Sequence, residues 1–156
     1  MEMTYYTTIT SPIGDLLLTS DGDSLTGLQM SPFDPPTGGW RDDAAFQEVI
    51  GQIDEYFTGA RKDFDVPLKP SGTAFQLSVW AGLREIPYGE TISYGELARW
   101  IGNPRAVRAV GRANGSNPIA VIVPCHRVIG ANGTLTGYGG GLDRKAKLLA
   151  LEGVSI

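Results

Sequence analysis

From Tyr5 to Met30 short runs rich in apolar and β-favouring residues are separated by turn residues. Tyr5–Thr10, Asp15–Thr19 and Leu25–Met30 read as strands, with Ser11-Pro12-Ile13-Gly14 and Asp21-Gly22-Asp23 turning the chain between them. Pro32, Pro35, Pro36, Gly38 and Gly39 predict an irregular loop. A helical period follows. Phe46, Val49, Ile50, Ile53 and Phe57 fall on one helical face, which predicts a helix near Asp43–Phe57. Phe64–Leu68 suits a last strand, and Lys69-Pro70-Ser71-Gly72 a linker.

Beyond Thr73 the pattern turns mainly helical. Thr73 and Gln76 have the spacing of a capping box, and Phe75, Val79, Trp80, Leu83 and Ile86 form a core-facing stripe that stops at Pro87-Tyr88-Gly89. Ser93 and Glu96 repeat the box and open a short helix that Gly102 can close. Asn103 as N-cap and Pro104 in the first turn predict another helix to about Asn114, with Gly115 beyond it. Two short helices across a Gly-containing turn predict a helix-turn-helix. The fold class expected is α+β: an N-terminal αβ lobe over 1–70 and a mainly helical lobe over 71–156.

A chain of 156 residues suits one domain or two small lobes, and at this size roughly 68–70% of the unfolded surface can be buried. One cysteine permits no internal disulfide and suits a reducing compartment. One Cys and one His cannot build a Cys/His zinc site, so no metal is expected. The first 20 residues carry no basic cluster, and no apolar run approaches the ~20 residues of a membrane span. A soluble, cytoplasmic protein without membrane contact is expected.

The net charge of −4 conceals a division. Residues 1–70 hold twelve acids against four basic residues; residues 71–156 hold nine basic residues against five acids. Between Leu97 and Leu142 no acid occurs, but Arg99, Arg105, Arg108, Arg112 and Arg127 do. Such asymmetry points to a polyanion-binding half. Arg105, Arg108 and Arg112 share one helical face, and Ala106, Ala109 and Ala113 an adjacent one where the backbone can approach a surface closely. On an isolated helix this would be a solvated basic face; within a helix-turn-helix, DNA contact is the better reading.

The only cysteine, Cys125, precedes the only histidine in Ile122-Val123-Pro124-Cys125-His126-Arg127-Val128. A thiol attacks as thiolate, and a neighbouring imidazole and guanidinium lower its pKa from ~8.5. A lone cysteine in an apolar run equally suits a small buried hydrophobe, so the pair alone leaves both readings open.

Pro124-Cys125-His126-Arg127-Val128, with Asn117-Pro118 before it and Gly137-Tyr138-Gly139-Gly140-Gly141 after it, resembles the O6-alkylguanine-DNA alkyltransferases, or methylated-DNA–protein-cysteine methyltransferases. Ile86-Pro87-Tyr88-Gly89-Glu90, Ser93-Tyr94, Arg105–Gly111 and Leu151-Glu152-Gly153 extend the likeness over about residues 72–153. In the first lobe it rests mainly on Ser11-Pro12-Ile13-Gly14. The resemblance implies a ribonuclease-H-like N-terminal lobe and a helical, DNA-binding C-terminal lobe. It also implies irreversible transfer of an alkyl group from O6 of guanine in duplex DNA to the cysteine.

By the same resemblance Cys125 is the acceptor, His126 takes its proton through a water, and Glu152 orients His126. Tyr94 helps rotate the nucleotide and protonates the departing purine, and Asn117 braces the cysteine turn. Tyr138 and Gly139 line the base pocket, with Gly140, Val128 and Ser93 as further substrate-binding residues. Arg108 fills the gap left by the extruded nucleotide, while Arg105, Arg112, Ala106, Ala109, Asn114 and Tyr94 contact DNA in the minor groove. Some relatives carry serine where Gly139 stands, and a bulkier apolar residue in place of Asn114. No cofactor is implied, and the free protein is expected to be monomeric. Two other classes compete on the residues alone: a thiol hydrolase with a Cys125–His126–Glu152 triad, and a non-catalytic DNA-binding regulator in which Cys125 is packing.

Overall fold

The structure, a computed structural model, describes residues 4–34, 38–135, 138 and 140–155. The chain forms two compact units, residues 1–71 with 118–120, and residues 72–117 with 121–156.

The first unit is built on a sheet of order β3-β2-β1-β4. Strands β1 (Tyr5–Ile9), β2 (Leu16–Ser20) and β3 (Leu25–Met30) form an antiparallel meander, and β4 (Trp40–Arg41) lies parallel to β1. Leu16, Leu17 and Leu18 are all buried, because β2 is covered on both faces. Asp21 Oδ1 accepts from the amides of Asp23 and Ser24 and closes the β2–β3 turn. These backbone donors hold its carboxyl below the usual range.

Helix α1 (Gln47–Phe57) follows a 3-10 turn, Asp43–Phe46, capped by Asp42, and buries Val49, Gln52, Ile53 and Tyr56 at i, i+3, i+4 and i+7. The fully buried aromatic is Tyr56 rather than Phe57. The Gln52 side chain pairs with the backbone of Asp65 at 3.0 and 2.8 Å, tying the segment after α1 to the helix. The expected strand over Phe64–Leu68 is reduced to one parallel bridge, Leu25 to Leu68. A second parallel bridge, Leu28 to Ile119, brings residues 118–120 to the outer edge of β3.

The second unit packs α2 (Ala74–Leu83), α3 (Tyr94–Trp100) and α4 (Val107–Gly115) against one another. A parallel pair, β5 (Ile92–Ser93) with β6 (Val128–Ile129), and α5 (Leu142–Leu151) complete it. Both capping boxes form, Thr73 with Gln76 and Ser93 with Glu96. Trp80 Nε1 donates to Ala113 O at 2.8 Å, locking α2 to α4 through a buried bond. Helix α4 starts later than the Asn103-Pro104 pattern predicts. Asn103 N closes the end of α3 on Ala98 O, and Asn103 O accepts from Ala106 N, so residues 103–106 are spent on a turn. No helix among the described residues is long and apolar enough to cross a membrane.

Candidate active site

Cys125 opens a 3-10 turn, Cys125–Arg127, its amide donating to Val123 O at 2.8 Å. Asn117 Nδ2 donates to the same carbonyl at 2.8 Å, and Asn114 Nδ2 approaches Cys125 O at 3.5 Å. The residue is 5% exposed. Burial pushes the thiol pKa up; the Asn117 amide, the Lys145 ammonium and the Tyr138 hydroxyl pull it down, in that order.

His126 is fully buried and its Nε2 lies 2.7 Å from Glu152 Oε2. Arg127 forks onto the same carboxylate, Nε to Oε1 at 2.8 Å and Nη2 to Oε2 at 3.0 Å, and its Nη1 donates to Ile86 O at 2.7 Å. A carboxylate only accepts, so Nε2 carries the hydrogen and Nδ1 keeps the lone pair. Nδ1 has no hydrogen-bond partner among the described residues. The Pro87-Tyr88-Gly89 loop closes over this cluster. Gly89 N approaches Glu152 Oε1 at 3.4 Å, and the Arg127 guanidinium lies 5.7 Å from the Tyr88 ring centroid. Gly89 has φ +81°, and a Cβ there would stand 3.2 Å from Glu152 O, so both its conformation and its neighbour require glycine.

Burial holds the His126 pKa below its ordinary value, outweighing the Glu152 carboxylate. The unfolded chain therefore takes up this proton first as pH falls. The contribution is intact above the unfolded pKa of 6.5 and is lost as pH drops from there toward the folded value. Urea midpoints measured from pH 7.5 downward are expected to decline below about 6.5, and less so in His126→Gln. Equal declines in both proteins would remove His126 as the cause.

The sequence argument had the residues flanking Cys125 activating the thiol. His126 Nε2 and the Arg127 guanidinium both meet Glu152, which leaves Nδ1 as the ring nitrogen without a hydrogen-bond partner among the described residues. Arg127, counted with the polyanion-binding arginines, is only 6% exposed. Lys145, which the sequence reading missed, is a buried cation whose charge pulls the thiol pKa down. Lys145, Leu148, Leu149 and Glu152 form the buried face of α5 and its cap at i, i+3, i+4 and i+7. That periodicity was the available signal.

Arg105, Arg108 and Arg112 are exposed, as expected of a contact surface, but Arg105 precedes α4 and only the other two share its helical face. Arg108, Gly111 and Arg112 line one shallow depression. The half-buried Tyr94 ring lies beside Gly111, 3.8 Å from where a Cβ would stand. Ala106 and Ala109 are half-buried, whereas Ala113 is buried. Three residues assigned to substrate or DNA also have structural partners within this unit. Asn114 is 3% exposed and faces the cysteine turn rather than solvent. Val128 is fully buried in its pairing with Ile92. The Ser93 hydroxyl caps α3, accepting from Glu96 N at 3.1 Å. Tyr138 and Gly140 are half-buried near the turn that opens α5, while Gly139 lies outside the described residues.

Residues 4–70 match the family profile described as the ribonuclease-like domain of 6-O-methylguanine DNA methyltransferase, and residues 74–154 match the profile of its DNA binding domain. The methylated-DNA–protein-cysteine methyltransferase of Mycobacterium tuberculosis is 56% identical over 153 residues, covering 96% of this chain and 93% of that one. Its counterpart from Methanosarcina acetivorans is 54% identical, covering 96% and 98%. The crystal structure of the M. tuberculosis protein in complex with DNA aligns with a TM-score of 0.91 at 56% identity, over 95% of this chain and 92% of that one.

Proposed function

The chain belongs to the methylated-DNA–protein-cysteine methyltransferases, and from that premise we propose how its residues divide the work. The reaction is direct reversal of damage: the alkyl group on O6 of guanine in DNA moves to a cysteine of the protein. Cys125 is the only cysteine in the chain.

The Cys125 proton passes through a water to Nδ1 of His126, the nitrogen left open by the Glu152 contact. The imidazolium so formed is stabilised by Glu152, which Arg127 holds in place through two hydrogen bonds. Sγ then forms a bond to the alkyl carbon as the C–O6 bond breaks, and the bonding electrons leave with the purine oxygen. Tyr94 supplies the proton that neutralises the departing purine. A thioether has no easy hydrolytic exit, so each molecule acts once. The alkyl group comes from the DNA, and the step uses no cofactor. The observation that carries this reading is the buried array Cys125, His126, Glu152 and Arg127, in one unit with the exposed arginines of α4. Incubation with duplex DNA containing O6-methylguanine is expected to add the mass of one methyl group to the peptide holding Cys125. Folded protein left unmodified would overturn the assignment.

DNA is the partner, and α3 with α4 serves as a helix-turn-helix whose second helix lies in the minor groove. The target carbon is inside the duplex, so the base must be flipped out at a cost of a few kcal/mol. Arg108, exposed in the first turn of α4, fills the vacated stack. Arg108→Ala is expected to react normally with the free alkylated base but slowly with duplex DNA; equal slowing on both would refute the finger. DNA affinity is expected to fall with salt, at a log–log slope of about 0.9 per neutralised phosphate. Lack of any disulfide partner for Cys125 and the absence of membrane-spanning helices among the described residues suit work in the cytoplasm. The protein is taken to be monomeric when free.

A further inference from the structure

Val121 has φ +69°, and every other residue with positive φ among those described is a glycine. A β-branched side chain in the left-handed region is strained against its own backbone. Glycine would take this conformation freely. The residue is therefore held by something its side chain does, and that side chain is 2% exposed, in the buried run Ile119, Val121, Ile122, Val123 that leads to Cys125.

Its place in the chain indicates what is gained. Asn117 Nδ2 closes a loop on Val123 O at 2.8 Å, with Val121 inside that loop. Val123 O also accepts from Cys125 N at 2.8 Å. The Asn117 side chain is in turn a hydrogen-bond partner of the Cys125 thiol. A reversal at Val121 thus sets where the shared carbonyl, the amide and the sulfur meet. We propose that Val121 is a positioning residue for alkyl transfer: its buried side chain pins the 117–123 loop in a strained turn and so keeps the Asn117 amide on the thiol. The inference rests on Cys125 being the alkyl acceptor.

The test compares Val121→Gly, Val121→Ala and Val121→Ile in the full chain, using a duplex oligonucleotide with O6-methylguanine. Alanine ordinarily stabilises relative to glycine. At this position the order is expected to reverse, with V121G unfolding at higher urea than V121A. In both variants single-turnover transfer at neutral pH is expected to fall and the pH–rate curve to move to higher pH, about tenfold in rate for each unit of displacement. Isoleucine, which keeps the branched anchor, is expected to retain the wild-type curve. The proposal is overturned if alanine is the more stable of the two. It also fails if the alanine and glycine curves overlie the wild type, or if the isoleucine curve moves with theirs. Absence of methyl uptake by the wild type would be a failure of the acceptor assignment instead.

Discussion

Glu152→Ala is expected to cost about 3–5 kcal/mol of folding stability and to abolish alkyl transfer at neutral pH. Glu152 is 5% exposed and takes hydrogen bonds from His126 and twice from Arg127, with Gly89 N at 3.4 Å. Truncation leaves the Arg127 guanidinium, itself 6% exposed, without its counter-charge. It also removes the group that fixes the His126 ring and stabilises its charged form. Glu152→Gln separates the two effects. It keeps the volume and one accepting oxygen, but its NH2 must face a donor where an acceptor is needed. A smaller stability loss with an equally severe loss of transfer is expected. Urea unfolding and single-turnover kinetics on the three proteins provide the comparison. A loss within about 1 kcal/mol for the alanine variant, the range of an exposed pair, would falsify the buried-network account.

Lys145→Met is expected to have the opposite profile. Lys145 is wholly buried, and its pKa is lowered by that burial while the Cys125 charge raises it. Replacing it with an apolar chain of similar length keeps the volume at this buried position, so the fold is expected to be retained. The thiolate, however, loses the favourable charge of Lys145, and the Cys125 pKa, already raised by burial, moves further up. At neutral pH transfer is expected to drop about tenfold for each unit of that rise, with recovery as pH increases. Overlay of the variant and wild-type pH–rate curves would show that the ammonium does not act on the sulfur.

Where a local signal and the tertiary structure agree, the sequence was legible. Both capping boxes were read from four-residue spacings because the bonds they describe lie within four residues. The three long strands followed from β-rich runs between turn residues, and α1 from periodicity, to within a residue or two at most ends. Strand β4 was missed because its partner is β1, more than thirty residues earlier, and nothing local marks Trp40–Arg41. The start of α4 was misjudged because Asn103-Pro104 fits a helix start and a turn equally well. Within the site, Cys125, His126 and Glu152 could be named from the resemblance, but not the Arg127 contact to Glu152. Adjacency along the chain implied that Arg127 serves the thiol, while its guanidinium reaches the end of α5. Lys145, within Asp143-Arg144-Lys145-Ala146-Lys147, reads as surface charge, and only packing reveals it as interior.

The excursion of residues 118–120 to the edge of β3 governs how this polypeptide can be dissected. The linker at Lys69–Gly72 looks like a natural point of scission, yet a fragment beginning there carries Ile119, fully buried in the intact chain, with no strand to receive it. The complementary fragment, ending at Ser71, is left with an open rim on β3 and the self-association such rims invite. Both fragments thus lose the pairing between β3 and residues 118–120, and the chain runs from there directly into the segment that carries the reactive sulfur.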